Sequence, residues 1–237
     1  MAMIEIGSIA MQLNRKAIKN LHISVLPPDG RVRVSAPESM TDTAIRMAVI
    51  SRIPWIKKQQ SGFAKQPRQS DREMVSGECH YLWGKRYRLN VVERSGKHEI
   101  KLGRGWLHLY VSTSATAENR ALVLNSFYRD ALKKRIADLL TVWQNKIGVA
   151  AADWGVKRMK TKWGSCNTQA KRIWLNLELA KKPPECLEYI LVHELVHLLE
   201  RTHNERFKAH MEKLLPDWRE RRDLLNRMPL AHNDWVY

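Results

Sequence analysis

A chain of 237 residues, 44% of them hydrophobic, can bury an apolar core as one large domain or two small ones, which excludes a disordered polypeptide. No apolar run approaches the roughly 18 residues of a membrane span, and three widely spaced cysteines (Cys79, Cys166, Cys186) argue against a disulfide scaffold and fit a reducing cytoplasm. The formal charge of +17 points to an anionic partner such as a nucleic acid, a nucleotide or an acidic protein.

The opening residues MAMIEIGSIAMQLNRK lack the basic start and long apolar stretch of a secretory signal. Within them IEIGSIAMQL reads as two short strands about Gly7-Ser8. In LHISVLPPDGRVRVSAP, His22, Ser24 and Leu26 alternate with Ile23 and Val25. Pro27-Pro28-Asp29-Gly30 carries turn chemistry, and Val32 and Val34 resume the alternation. SMTDTAIRMAVISRIPWIKKQQSGFAK is helical, with Thr41 or Thr43 as its cap and Pro54 expected to break or kink it. The polar run 64–78 is the best linker candidate, and short strands return between Tyr81 and Ser112, with Gly96, Gly103 and Gly105 at the turns. No internal repeat is visible.

From Ala117 to Ile147 the period becomes helical: Leu124, Tyr128, Ala131, Leu132, Ile136, Leu139 and Trp143 form one stripe, and Gly148 stands at the C-cap position. VKRMKTKWGSCN and RIWLNLELA read as strands joined by a loop at 164–171. Pro183-Pro184 ends the second and opens a helix whose first turn holds Glu185 and Glu188, where the helix dipole favours acids. The expected fold class is α+β, in three regions: a β-rich part at 1–116, the long helix at 117–150 and a metal-binding part at 151–237.

The chemistry concentrates in YILVHELVHLLERTHNERF. On a helix, His193 and His197 lie about 40° apart around the axis and about 6 Å apart along it, so both can reach one ion, with Glu194 flanking that face. This is HExxH, two imidazoles for a metal and a carboxylate to take a proton from water. A third ligand is needed. His203 is the leading candidate provided the helix ends first, because a continuing helix would carry it roughly 9 Å further along the axis. Thr202-His203-Asn204-Glu205 fits a capping box that would restart a helix at His203. Glu205, His210 and Glu212 are the rival ligands. Three protein ligands leave a position for water, whereas a structural site is closed by four. Cys186 is too far along the helix to join, and Cys166 could approach only if its loop folds over the site.

Read with KTKWGSCN, WLNLELAKKPP and LLPDWRERR, and with NLHISVLPPDGRVRVSAP and VSGECHYLWGKRYRLNVVE in the N-terminal half, these residues resemble the YgjP-like metallopeptidase family, a relative of SprT-like and other HExxH zinc proteins. The resemblance implies a zincin-like C-terminal unit holding one Zn2+ on His193, His197 and His203, with Glu194 as general base and Trp163–Cys166 beside the cleft. It implies a peptide or protein substrate. Val196 and Asn204 depart from the residues usual in the family, and neither is a ligand. Metzincin proteases share the HExxHx5H spacing but have a turn-forming glycine where Glu200 stands.

Two other readings use the same residues. Between Lys157 and Lys182 the basic residues 157, 158, 160, 162, 171, 172, 181 and 182 outnumber one acid, Glu178, so a metal site beside a basic wall would suit a nucleotide or other phosphoanhydride substrate. A nucleic-acid-binding protein with structural zinc would need a fourth ligand such as Cys166 and would bind in a salt-sensitive way. Ser165, Asn167, His210 or a lysine are the candidates for an oxyanion donor.

Overall fold

The computed structural model describes residues 2–26, 30–65, 72–159 and 162–227. The architecture is mixed α+β, with three sheets and five α-helices among the described residues. Contacts divide the chain into two compact units, one built from Met1–Gln69 and one from Ser70–Met228. The turn candidate 27–29 and most of the linker candidate, 66–71, lie outside the described residues. No helix among the described residues is long and apolar enough to cross a membrane.

The first unit begins with β1 (Ala2–Ile6) and β2 (Ile9–Lys16), an antiparallel hairpin whose turn places Gly7 at φ +63, a conformation that glycine adopts without a Cβ clash. β3 (His22–Leu26) and β4 (Arg31–Pro37) form a second hairpin, and β4 runs parallel to β2, giving the order β1-β2-β4-β3. The core lies between this sheet and α1 (Asp42–Lys65), where Met11, Val32, Val34 and Ala36 meet Ile45, Val49 and Ile56. Thr41 caps α1 by accepting from the Ala44 N–H at 3.3 Å. Pro54 does not end the helix as expected. It lies on the exposed face, where water can serve the Ile50 carbonyl left without an intrahelical donor.

The second unit repeats this plan. β5 (Cys79–Leu82) and β6 (Lys85–Glu93) make an antiparallel hairpin, β6 runs parallel to β8 (Trp106–Val111), and β7 (Glu99–Leu102) pairs antiparallel with β8 at the edge. The order β5-β6-β8-β7 copies that of the first sheet, and α2 (Ala117–Ile147) follows as α1 follows β4. Val32, Val34, Ala36, Thr41 and Val49 correspond at one constant offset to Leu107, Leu109, Val111, Thr116 and Leu124. Thr116 caps α2 as Thr41 caps α1, accepting from the Asn119 N–H at 3.2 Å. The chain therefore holds two copies of a four-strand-plus-helix module. The repeat escapes a reading of residue identities because only the alternation of buried positions and the capping threonine survive.

The remaining elements complete the second unit. β9 (Asp153–Lys157) runs parallel to β11 (Arg172–Asn176), and β10 (Gly164–Asn167) pairs antiparallel with β11 at the sheet edge. Gly164 thus stands in a strand and not in the expected loop. Leu177–Lys181, expected to extend a strand, form a 3-10 helix capped by the Asn176 side chain, followed by α3 (Pro184–Val196), α4 (Glu205–Leu214) and α5 (Trp218–Arg227). The division between units at 69/70 differs from the expected region limits at 116 and 150. Leu89, Leu107 and Leu109 from the second sheet, Tyr128, Leu132 and Ile136 from α2, and Ile173, Leu191 and Leu195 beyond it belong to one continuous core. The β5–β6 turn joins that assembly directly: Trp83 and Gly84, both at positive φ, donate their N–H groups to Ala180 O (2.8 Å) and Lys181 O (3.3 Å).

Two buried polar groups anchor this unit. Asn176, 4% exposed, donates from Nδ2 to Met159 O (2.8 Å) and Lys162 O (2.7 Å), while its Oδ1 accepts from the Glu178 N–H (3.2 Å). It fastens the segment before β10 to the end of β11. Replacing it (Asn176→Leu) strands these backbone groups and is expected to cost roughly 2–4 kcal/mol, read as a lower urea midpoint. His80 is buried on β5 with Nε2 3.2 Å from Glu78 Oε2, and burial, aided by Arg72, pushes its pKa down to about 4. Its neutral form is the one that the fold accommodates. Its contribution is full above about pH 6.5, the unfolded value, and is lost as pH falls towards 4, about 3 kcal/mol in all. Urea titrations across that range should show a steeper loss in the wild type than in His80→Gln.

Candidate metal centre

α3 is apolar on nearly every side: Cys186, Leu187, Leu191, Val192, Leu195 and Val196 are all fully buried. Pro184 at its first position pre-sets the helical φ, and Glu185 faces the N-terminal dipole. The helix ends at Val196, so His197 is its C-cap residue, and the chain then turns back, with the Glu200 N–H donating to Val196 O at 2.9 Å. α4 starts only at Glu205. Its cap is Asn204, whose Oδ1 accepts from the Phe207 N–H at 2.9 Å, and not the expected Thr202. His203 therefore sits in the bent connection between two helices, where its side chain turns back to His193 on α3.

The consequence is convergence. One nitrogen from each of His193, His197 and His203 lies within 4.8 Å of the other two, and Nε2 of His203 is 3.0 Å from Nε2 of His193. The ring centroids are 4.8–4.9 Å apart, and Phe207 packs against all three rings at 4.7–4.9 Å. His197 Nδ1 lies 3.1 Å from Glu200 O. A carbonyl oxygen only accepts, so this bond puts the proton on Nδ1 and leaves the Nε2 lone pair for an ion. Glu205, His210 and Glu212 do not join the trio. Glu205 pairs with Lys208 at 2.6 Å, and Glu212 pairs with Arg219.

The electrostatics favour the ligand form of these rings. Burial, and then the neighbouring His197 and His203, push the pKa of His193 down to about 3, and burial also lowers that of His197. Three imidazole nitrogens this close together form a donor set suited to zinc and related divalent ions. Among the described residues no fourth donor joins them, and Cys166 is not one of the converging groups. Its thiol is pushed up to about 11, by burial and by the Glu194 charge, so it stays protonated.

Glu194, 5% exposed, has its pKa raised to about 8 by burial, with Lys162 opposing. The backbone of β10 lies directly against it. A Cβ at Gly164 would collide with the carboxylate, coming 2.8 Å from Glu194 Cγ and 2.8 Å from Ile190 Cγ2. Only a residue without a side chain lets the strand approach the carboxylate this closely. α3 is also braced from outside, because Glu188 accepts from Trp143 Nε1 on α2 (3.0 Å) and from Arg221 Nη1 on α5 (2.6 Å).

Three of the expected site residues, His193, His197 and His203, thus converge, while Glu194 follows His193 on α3 and lies against Gly164. Sequence reasoning overlooked Phe207 as the floor under the imidazoles and Asn176 as the anchor of the segment leading to β10, and took Gly164 for a loop residue. For Gly164 a signal was present: a glycine inside an alternating strand run marks a close approach. For Phe207 and Asn176 the contacts are non-local, and no local pattern announces them.

The sequence model of the family described as YgjP-like, metallopeptidase domain, matches residues 19–228. No curated protein matches the chain. Among solved structures, the metallopeptidase zymogen of Pyrococcus abyssi abylysin is similar at 24% identity, over 40% of this chain and 99% of that one, with a TM-score of 0.36. The metallopeptidase zymogen of Methanocaldococcus jannaschii jannalysin is similar at 22% identity, over 38% and 92%, with a TM-score of 0.35. Running from the first module through the histidine-bearing helices, the family match shows that the chain belongs to the YgjP-like metallopeptidase domain family.

Proposed function

We propose that this chain is a zinc-dependent metallopeptidase, with a zincin-like unit in which His193, His197 and His203 hold one Zn2+ and Glu194 acts as general base on a peptide substrate. The observation that carries the reading is the convergence of three imidazole nitrogens, with the buried carboxylate of Glu194 next to His193 on α3. Three protein donors are the pattern of a hydrolytic site, and the absence of Cys166 from the set speaks against closed structural zinc. When bound, zinc supplies Lewis-acid chemistry, lowering the pKa of water and polarising a carbonyl.

The protein's own residues do the rest. Glu194 takes a proton at its carboxylate from the attacking water and returns it to the leaving amine. Burial favours this role, because desolvation makes the carboxylate more basic than one in water and so readier to take that proton. The Glu200 carbonyl keeps His197 in the ligating tautomer, and Phe207 keeps the rings packed and dry on one side. Gly164 lets β10 lie against Glu194 and so sets where the carboxylate points.

Glu194→Gln is expected to keep about one zinc per chain and to lose roughly 10²- to 10⁴-fold in cleavage of unfolded protein. His203→Ala should lose the metal itself, measured by elemental analysis after dialysis. A panel of nucleoside triphosphates assayed in parallel tests the other substrate class: hydrolysis of a triphosphate that vanishes in Glu194→Gln, with no peptide cleavage, would replace the peptidase reading. Gly164→Ala should keep its zinc and lower kcat for peptide cleavage at least tenfold, since the added methyl displaces the carboxylate and not the imidazoles.

A further inference from the structure

The first unit carries a groove of about 470 Å³, remote in chemistry from the histidine site. One wall is the start of β3 with the residue before it, Leu21, His22 and Ile23; the other is a stripe of α1, Ala48, Ser51, Arg52 and Trp55. These helix positions recur at three- and four-residue spacing, so they form one face directed along the strand. Among the described residues β3 is an edge of its sheet, paired with β4 on one side only. Its other side offers backbone N–H and C=O groups to an incoming chain.

This edge lacks the devices that usually guard one. Residues 22–26, His-Ile-Ser-Val-Leu, contain no proline, lysine or acid, whereas the opposite edge β1 carries Glu5 and the β7 edge of the second sheet carries Glu99 and Lys101. A five-residue edge without proline, lysine or acid beside an open groove suits strand addition: five residues of an added strand span about 17 Å. The lining also has a sign. Arg52 and His22 are its ionisable groups, and no acid lines it. Among the described residues, Arg52 makes no hydrogen bond or ion pair, although Arg15 on the same unit is tied to Asp42 and to the Met40 carbonyl. Trp55, 39% exposed, gives the groove an apolar face next to that free guanidinium.

We propose that β3 and α1 form a docking groove for an extended peptide segment bearing an acidic side chain, which adds to β3 as a fifth strand, sets its carboxylate on Arg52 and packs an apolar side chain on Trp55. The backbone supplies the register and the arginine supplies the selectivity. This groove does not depend on the histidine site and would act whatever reaction that site performs.

The test is binding, measured by fluorescence anisotropy on the full chain. The probe is a fluorescein-labelled, acetylated heptapeptide alternating valine and aspartate, checked by mass spectrometry for intactness. Arg52 is exposed, so Arg52→Glu should fold as the wild type does, verified by circular dichroism, and should weaken the probe at least tenfold. The same peptide with lysine in place of aspartate should bind the wild type at least tenfold more weakly and should prefer Arg52→Glu. Peptides N-methylated at alternate amides in the two frames separate strand addition from simple charge attraction: one frame should abolish binding and the other should leave it nearly intact. Failure of the probe to bind, equal binding by Arg52→Glu, or equal tolerance of both methylated frames would overturn the proposal.

Discussion

The candidate site depends on where one helix stops. Helical geometry aligns His193 with His197, but the same geometry would carry His203 away from them if α3 continued. The helix ends at Val196, the chain turns back through Glu200, and Asn204 starts a new helix two residues after Thr202. The Glu200 carbonyl freed by that ending is the acceptor that orients His197. Termination and ligand orientation are therefore one event.

Burial then sets the charge states. α3 is packed on nearly every side, so His193, Glu194 and the capping His197 are desolvated, and desolvation always penalises the charged form. For the histidines this means neutral rings with available lone pairs; for Glu194 it means a carboxyl able to hold a proton near neutrality. One physical cause pushes the two residue types in opposite directions, and both directions suit metal-assisted hydrolysis. The close approach of β10 through Gly164 completes the enclosure of the carboxylate.

The repeated module gives this arrangement its frame. In the second copy, the hairpin turn at Trp83-Gly84 bonds to the 3-10 helix that precedes α3, and α2 supplies Trp143 to brace Glu188. Among the described residues the equivalent turn of the first copy, at Gly7, bonds to no such segment, and that copy has a strand edge without lysine or acid beside Arg52.

Much was legible in the residues alone, for reasons of period and chemistry. The alternation in β3 and β4, the stripe of α2 with its Gly148 cap, the start of α3 at Pro184 and the pairing of His193 with His197 are local, because they depend on spacings within one element. Local patterns misled where two structures share one pattern: LELA alternates like a strand yet forms a 3-10 helix under the Asn176 cap, and Pro54, a breaker in isolation, is tolerated where its side of the helix meets water. The sequence by itself determined which groups are available: two imidazoles and a carboxylate on one helical face, and a third histidine within reach. Only the tertiary structure decided that His203 returns to them, that Glu194 is buried against the backbone of Gly164, and that Phe207 lies under all three rings. Those outcomes depend on where a helix ends and which distant strand packs on it, and these are set by burial of the whole core, which no single window of residues contains.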